Sequence, residues 1–296
     1  MRSFLWFVSV IVVTVLVAAV LAYPLYLALH PHFPQWRFDK IATRLWQLLM
    51  PIALVLVVRR LRLRTARDYG YGAPRPRWLR QFGIGLLAGL ATMVPVTISM
   101  LALGVRVVSP DLNSHELLAA LGAGLLSGLV VAFVEETFFR GLMFGAVLRD
   151  LRRPLPAIVL VAIVYASVHF LASTHIPPES VTWHSGLNLL GASVTNFLAP
   201  STIIDAWLAL LAVGVLLGAC AWWTGNIAVG VGLHASWVFV MRATVLTTRE
   251  NPASPLEWLI SPTMHYTGWL VFAWTLVILA AVVLARNRFR HWHRTL

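Results

Sequence analysis

Charged residues are scarce. Asp, Glu, Lys and Arg together make up 11% of the 296 residues, where a soluble globular domain carries roughly a quarter. That shortage, with 59% apolar residues and a mean hydropathy of +0.80, excludes an ordinary soluble protein. Cysteine is nearly missing: Cys220 stands alone inside an apolar run, so no intramolecular disulfide can form and the redox compartment cannot be read. Acidic residues are outnumbered 11 to 23, for a net charge of +12. In a soluble chain such an excess would raise nucleic-acid binding. Here the basic residues fall between apolar runs, and no RNP, zinc-finger or helix-turn-helix pattern accompanies them, so a nucleic-acid partner is excluded. Repeats of 20 to 50 residues, low-complexity linkers, G-x-S-x-G, P-loop and dinucleotide fingerprints are likewise missing.

What the chain has instead is long apolar runs. They cover about Leu5 to Leu29, Leu45 to Val58, Phe82 to Val108, Leu117 to Leu148, Leu155 to Leu171, Ile204 to Trp223, Ile227 to Leu246 and Trp269 to Ala285. About twenty apolar residues suffice to cross a hydrocarbon layer of ~30 Å. The expected fold is therefore all-α, a polytopic integral membrane protein with about eight transmembrane helices. The first run is far longer than the core of a secretory signal and reads as a retained span. The second is short and interrupted by Pro51.

Positive charge concentrates in cytoplasmic loops. With the N-terminus inside, the cytoplasmic set is Arg2, the eight arginines from Arg59 to Arg80, Arg149, Arg152, Arg153, Arg286, Arg288, Arg290 and Arg294, sixteen in all. Six remain for the other side: Arg37, Lys40, Arg44, Arg106, Arg242 and Arg249. Both termini are thus expected in the cytoplasm. The segment from Ala172 to Ile203 has no Lys or Arg and suits an outward loop, with a re-entrant path open to it. His175, His184, His265, His291 and His293 fall in loops or the tail, and Trp36, Trp183, Trp269 and Trp292 sit near span ends as interfacial anchors.

Three ionisable groups break the fourth run, in Val134-Glu135-Glu136-Thr137-Phe138-Phe139-Arg140-Gly141. Each costs ~2.5–3.5 kcal/mol at a span centre when left without partners. Glu136 and Arg140, at i and i+4, share a helix face and can pair. Glu135 points about 100° away, so its partners must come from other helices or from water in a cavity. Two histidines are available inside spans, His169 in the fifth run and His234 in the seventh. A rise of ~1.5 Å per residue places Glu136, His169 and His234 about 18, 22 and 12 Å from the cytoplasmic helix ends, a spread that tilt can remove. The two glutamates, the arginine and both histidines can then meet in one layer. Gly124, Gly128, Gly141 and Gly145 flank the carboxylates in two G-x-x-x-G pairs, as expected for close helix packing.

These residues resemble the CAAX protease and bacteriocin-processing (CPBP) membrane proteins, which include the type II CAAX prenyl endopeptidases. The pattern of that family is E-E-x-x-x-R, then F-x-x-x-H, then H-x-x-x-N or D, on separate helices of an eight-span fold. Glu135, Glu136 and Arg140 supply the first motif; the second carries Tyr165 for the phenylalanine and His169 in place; the third begins at His234 but has Val238 where Asn or Asp is usual. The resemblance covers roughly Arg80 to Leu246, dividing the chain into N-terminal spans with a basic loop (1–79), a protease-like core (80–246), and a last span with a basic tail (247–296).

The resemblance implies an intramembrane endopeptidase in which Glu135 and His169 activate a water, Glu136 and Arg140 organise the site, and His234 helps stabilise the oxyanion. Peptide hydrolysis needs a base for the water, an acid for the leaving amine and donors facing the oxyanion, so the residue types fit. Valine cannot donate a hydrogen bond, and Ser236, Asn188 or Asn226 would have to replace the missing contribution at 238. The implied partners are the lipid bilayer and a membrane-associated peptide or protein substrate, with a bacterial inner membrane as the expected location.

Three rival readings remain open at this stage. Glu135, His169 and His234 are chemically acceptable zinc ligands, although no H-E-x-x-H occurs; the resemblance favours a mechanism without a cofactor. A non-catalytic scaffold or bacteriocin-immunity protein of the same fold would use the buried charges structurally. A transporter would use Glu135 as a proton carrier, but broken helices and inverted halves are not evident.

Overall fold

The computed structural model describes residues 1–110, 113–171 and 175–285. Arg286, Arg288, Arg290, Arg294, His291, Trp292 and His293, expected as a basic cytoplasmic tail, lie outside the described residues, as do positions 172–174 of the expected outward loop. Six helices among the described residues are long and apolar enough to cross a membrane: Arg2–Leu29, Phe38–Arg60, Arg75–Ala102, Leu117–Leu151, Ile204–Thr224 and Ala228–Thr247. Two shorter apolar helices, Pro154–Val168 and Trp269–Leu284, fill the remaining expected runs. The chain is an all-α polytopic membrane protein.

The helices group into two compact units, one formed by Met1–Arg64 and Ser167–Ile203, the other by Thr65–Ala166 and the chain from Ile204 onward. In the first unit α1 (Arg2–Leu29) packs on α2 (Phe38–Arg60) and on α7 (Ser185–Leu198). Ala22, Tyr26, Phe38, Ile41, Ala42 and Leu189 form the core where the three helices meet. The short second run is thus the apolar middle of a 23-residue helix that passes through Pro51; neighbouring helices re-satisfy the backbone freed by an intramembrane proline. Its first turn holds Asp39, fully buried and gripped by Arg37 through two hydrogen bonds of 2.9 and 3.1 Å. The expectation of a loop from Ala172 to Ile203 needs correction, because α7 occupies 14 of its residues. Gly186 lets α7 lie directly on the Ala19 carbonyl of α1, a contact any side chain would block.

The second unit is arranged about α9 (Ala228–Thr247), which packs between α3 (Arg75–Ala102) and α4 (Ser114–Glu136). Small residues set these separations. A Cβ at Gly85 would stand 3.1 Å from the Gly232 Cα, and one at Gly128 would stand 2.7 Å from the Ala235 carbonyl. Backbones can approach this closely only where the side chain is missing. Of the four glycines expected to pack helices, Gly124 and Gly128 both face α9; Gly141 admits the backbone of Tyr69 and Gly70 from a loop, and nothing lies within 4 Å of a Cβ at Gly145. Behind α9 lie α8 (Ile204–Thr224) and α10 (Trp269–Leu284). The α6 helix (Pro154–Val168) packs Ala162 and Ile158 against Gly214 and Gly218 of α8.

The third run also departs from expectation. Its helix stops at Ala102, and Arg106–Val108 pairs instead as strand β1, antiparallel to β2 (Thr248–Glu250) at the end of α9. Arg106 is buried rather than solvated, donating to the Thr248 hydroxyl at 2.7 Å, the Thr248 carbonyl at 3.1 Å and the His265 carbonyl at 2.7 Å. Burial lowers its pKa below the usual arginine value, with Glu250 pulling the other way. These bonds tie the loop after α9 to the end of α3.

Candidate active site

The α4 helix ends on the glutamate pair, and the chain continues without interruption as a π-helical turn, Thr137–Met143, before α5 (Phe144–Leu151). Such insertions are rare and recur at functional sites. Arg140 sits within the turn, and its Nη1 still reaches Glu136 Oε1 at 2.9 Å. The same carboxylate oxygen lies 2.9 Å from His234 Nδ1 on α9. An ionised Glu136 accepts from both, which places a proton on His234 Nδ1 and turns Nε2 the other way.

Nε2 faces Glu135, whose Oε2 is 3.9 Å away. One imidazole therefore lies between two carboxylates that occupy different environments. The Glu136 side chain is 0% exposed, whereas Glu135 is 27% exposed. Among the described residues Glu136 Oε2 accepts no hydrogen bond, and a Cβ at Gly230 would stand 3.0 Å from it. Arg140 also donates to the Gly214 carbonyl at 3.4 Å, and its guanidinium lies 4.3 Å above the centre of the Tyr165 ring. A cation over an aromatic face in a desolvated site gains about 2 kcal/mol.

Four of the five sequence candidates, Glu135, Glu136, Arg140 and His234, are thus brought together within the second unit, although simple counting had set Glu136 and His234 several ångströms apart in depth. His169 follows the end of α6 in a turn, is half-buried and belongs to the first unit. Of the residues offered as substitutes for a donor at 238, two are committed elsewhere. Ser236 donates to the Leu86 carbonyl at 2.8 Å, and the Asn226 amide bonds Gln81 at 2.7 Å while its carbonyl oxygen caps α9 through the Ala228 amide. Asn188 is exposed on α7 in the first unit. Sequence reading missed the π-helical turn, the Gly214 carbonyl and the stacking role of Tyr165. Only Tyr165, one turn before His169 in an intramembrane helix, left a signal that could have been followed.

No group of three or more His, Cys, Asp or Glu side chains placed to hold a metal ion occurs among the described residues. From the alternative zinc set, Glu135 and His234 Nε2 adjoin within the second unit, and His234 Nδ1 is taken by Glu136.

Residues 117–240 match the family model described as type II CAAX prenyl endopeptidase Rce1-like. That segment is similar to the Rce1-like family, and it lies within a polytopic membrane protein. The matched stretch begins in α4 and ends in α9, so it encloses Glu135, Glu136, Arg140, His169 and His234. No curated protein and no solved structure matches the chain.

Proposed function

We propose that the Rce1-like segment carries an intramembrane endopeptidase site that hydrolyses a peptide bond in a membrane-associated substrate. The observation that carries this reading is the division of labour between adjacent carboxylates. Glu136 is locked between Arg140 and His234, and Glu135, partly exposed as a side chain, sets its buried Oε2 3.9 Å from His234 Nε2. A separation of 3.9 Å is beyond a direct hydrogen bond but lets one oxygen atom reach both groups.

In the proposed reaction Glu135 takes a proton from that water as its oxygen attacks the scissile carbonyl carbon. The C–N bond then breaks, and Glu135 returns the proton to the leaving amine. His234, steered by Glu136, donates through Nε2 to the oxyanion when protonated. The distribution of arginines supports an orientation with both termini in the cytoplasm; a site in the cytoplasmic half of the bilayer and a bacterial inner membrane as the location belong to the same proposal. A structural scaffold would account for the buried Glu136–Arg140–His234 network but gives no work to the second carboxylate, Glu135, held 3.9 Å from His234 Nε2.

The test is comparative proteomics of membrane peptides from cells carrying the parent protein or the Glu135→Gln variant at equal abundance. Cleavage products present only with the parent support the reading. Identical peptide sets would overturn it.

A further inference from the structure

The π-helical turn that carries Arg140 is wider than an α-helix and rare, so its persistence calls for support from outside the helix. The support comes from residues 68–71, in the loop just before α3 and ahead of the family-matched segment, within the same compact unit as the site. This loop meets several elements at once. The Asp68 carboxylate accepts from Arg149, near the end of α5, at 2.7 Å. Tyr69 and Gly70 lay their backbone on Gly141, inside the turn, where any side chain would collide. The Gly70 carbonyl accepts from the Ile227 amide at 3.1 Å, immediately before α9. Gly70 makes this approach with a φ of +87°, which suits glycine alone.

Tyr71 reaches furthest toward the site. Its ring packs on a cluster that includes Ala132 of α4 with Val231 and Ala235 of α9, and stacks on Trp78 with centroids 5.8 Å apart. Its hydroxyl oxygen lies 2.7 Å from Thr137 Oγ1. Thr137 opens the π-helical turn and follows Glu136 directly. Several helical threonines of this protein turn their hydroxyl back to the carbonyl four residues earlier, as Thr92, Thr244 and Thr275 do. Thr137 is bonded across to the loop instead. Phenylalanine at 71 would keep the ring contacts and lose the link.

We propose that Tyr71 is a positioning residue for this site: through Thr137 it fixes the start of the π-helical turn, so that Glu136 stays aligned with Arg140 and His234 together. The kinetic part of the inference rests on the hydrolytic reading above. Tyr71 touches no reacting atom. Its effect passes through Glu136 Oε1, which stands 2.9 Å from both Arg140 Nη1 and His234 Nδ1. Winding the turn back to the α path would rotate Arg140 about the helix axis and strain that double contact. An imidazole released from Glu136 is free to take the other tautomer, and Nε2 then no longer faces the oxyanion as a held donor.

The experiment compares parent, Tyr71→Phe, Thr137→Val and the double variant, each full-length in nanodiscs. It reads turnover of a peptide that the parent cleaves and NMR of isotope-labelled histidine, with the His234 signal assigned by its loss in His234→Gln. Tyr71→Phe is expected to lower kcat about tenfold, the size of one lost hydrogen bond, with KM and Tm held and the Nδ1-protonated fraction of His234 reduced. Thr137→Val should do the same, and the double variant should be no worse than either, because both remove one link. Losses that multiply in the double variant would overturn the assignment. So would an unchanged His234 signal, parent-like turnover, or a loss in which Tm and KM move together with kcat, the mark of a packing role. A parent that cleaves nothing, or no better than Glu135→Gln, would remove the hydrolytic reading; the His234 signal then decides alone, its change in Tyr71→Phe supporting the positioning role and its constancy overturning it.

Discussion

Glu135→Gln is expected to abolish proteolysis while leaving the protein inserted and folded. Glutamine keeps the size and the polarity of the side chain but cannot take a proton from water, so the loss should be at least as large as that of a general base, about 10²–10⁴-fold. Stability should hardly change, because Glu135 is the partly exposed member of the pair and the Arg140 and His234 Nδ1 contacts go to Glu136. Turnover by purified protein together with thermal unfolding in the same detergent checks both halves. A variant that cleaves at the parent rate would remove Glu135 as the base.

Arg140→Leu should behave in the opposite way and destabilise the fold. Arg140 and Glu136 are both shielded from solvent, and the pair survives because each neutralises the other. Removing one partner of a buried pair leaves an uncompensated charge and costs roughly 3–5 kcal/mol, more than the pair contributes on balance. The substitution also strips the cation from above Tyr165 and the donor from the Gly214 carbonyl. Thermal denaturation in detergent should show a fall in Tm of about 5–10 °C or more. An unchanged Tm would mean that His234 alone can hold Glu136.

The glutamates are therefore separable by experiment: one change should remove chemistry and keep the fold, the other should loosen the fold. Adjacent positions on one helix acquire these different roles from their surroundings. Glu136 points at α8 and α9, where Gly230 leaves room for its carboxylate and Arg140 reaches across from the π-helical turn. Glu135 directs Oε2 toward His234 Nε2 while its side chain as a whole stays partly exposed.

The spans were legible because runs of leucine, valine and alanine with so few charges leave little choice but a membrane helix. The pairing of Glu136 with Arg140 followed from spacing alone. Other features were hidden for identifiable reasons. The α7 helix is short and lies in a segment opened by Pro177 and Pro178, which reads as a loop. Strand β1 looked like the tail of an apolar run, since Arg106-Val107-Val108 finds its partner about 140 residues later, at Thr248–Glu250. The π-helical turn at Thr137–Met143 leaves no mark in hydropathy, because widening one turn changes no residue type. The bond from His234 to Glu136 depends on how deeply α9 sits beside α4, which Gly128 and Ala235 decide through backbone contact. The commitment of Ser236 to Leu86 depended likewise on the close approach of α3.

The most direct test is the structure of the Glu135→Gln protein with an uncleaved substrate peptide bound in a lipid nanodisc. The account predicts the scissile carbonyl carbon beside position 135, with its oxygen turned toward His234 Nε2. A peptide seated with its scissile bond on another face of the protein, remote from His234, would contradict it.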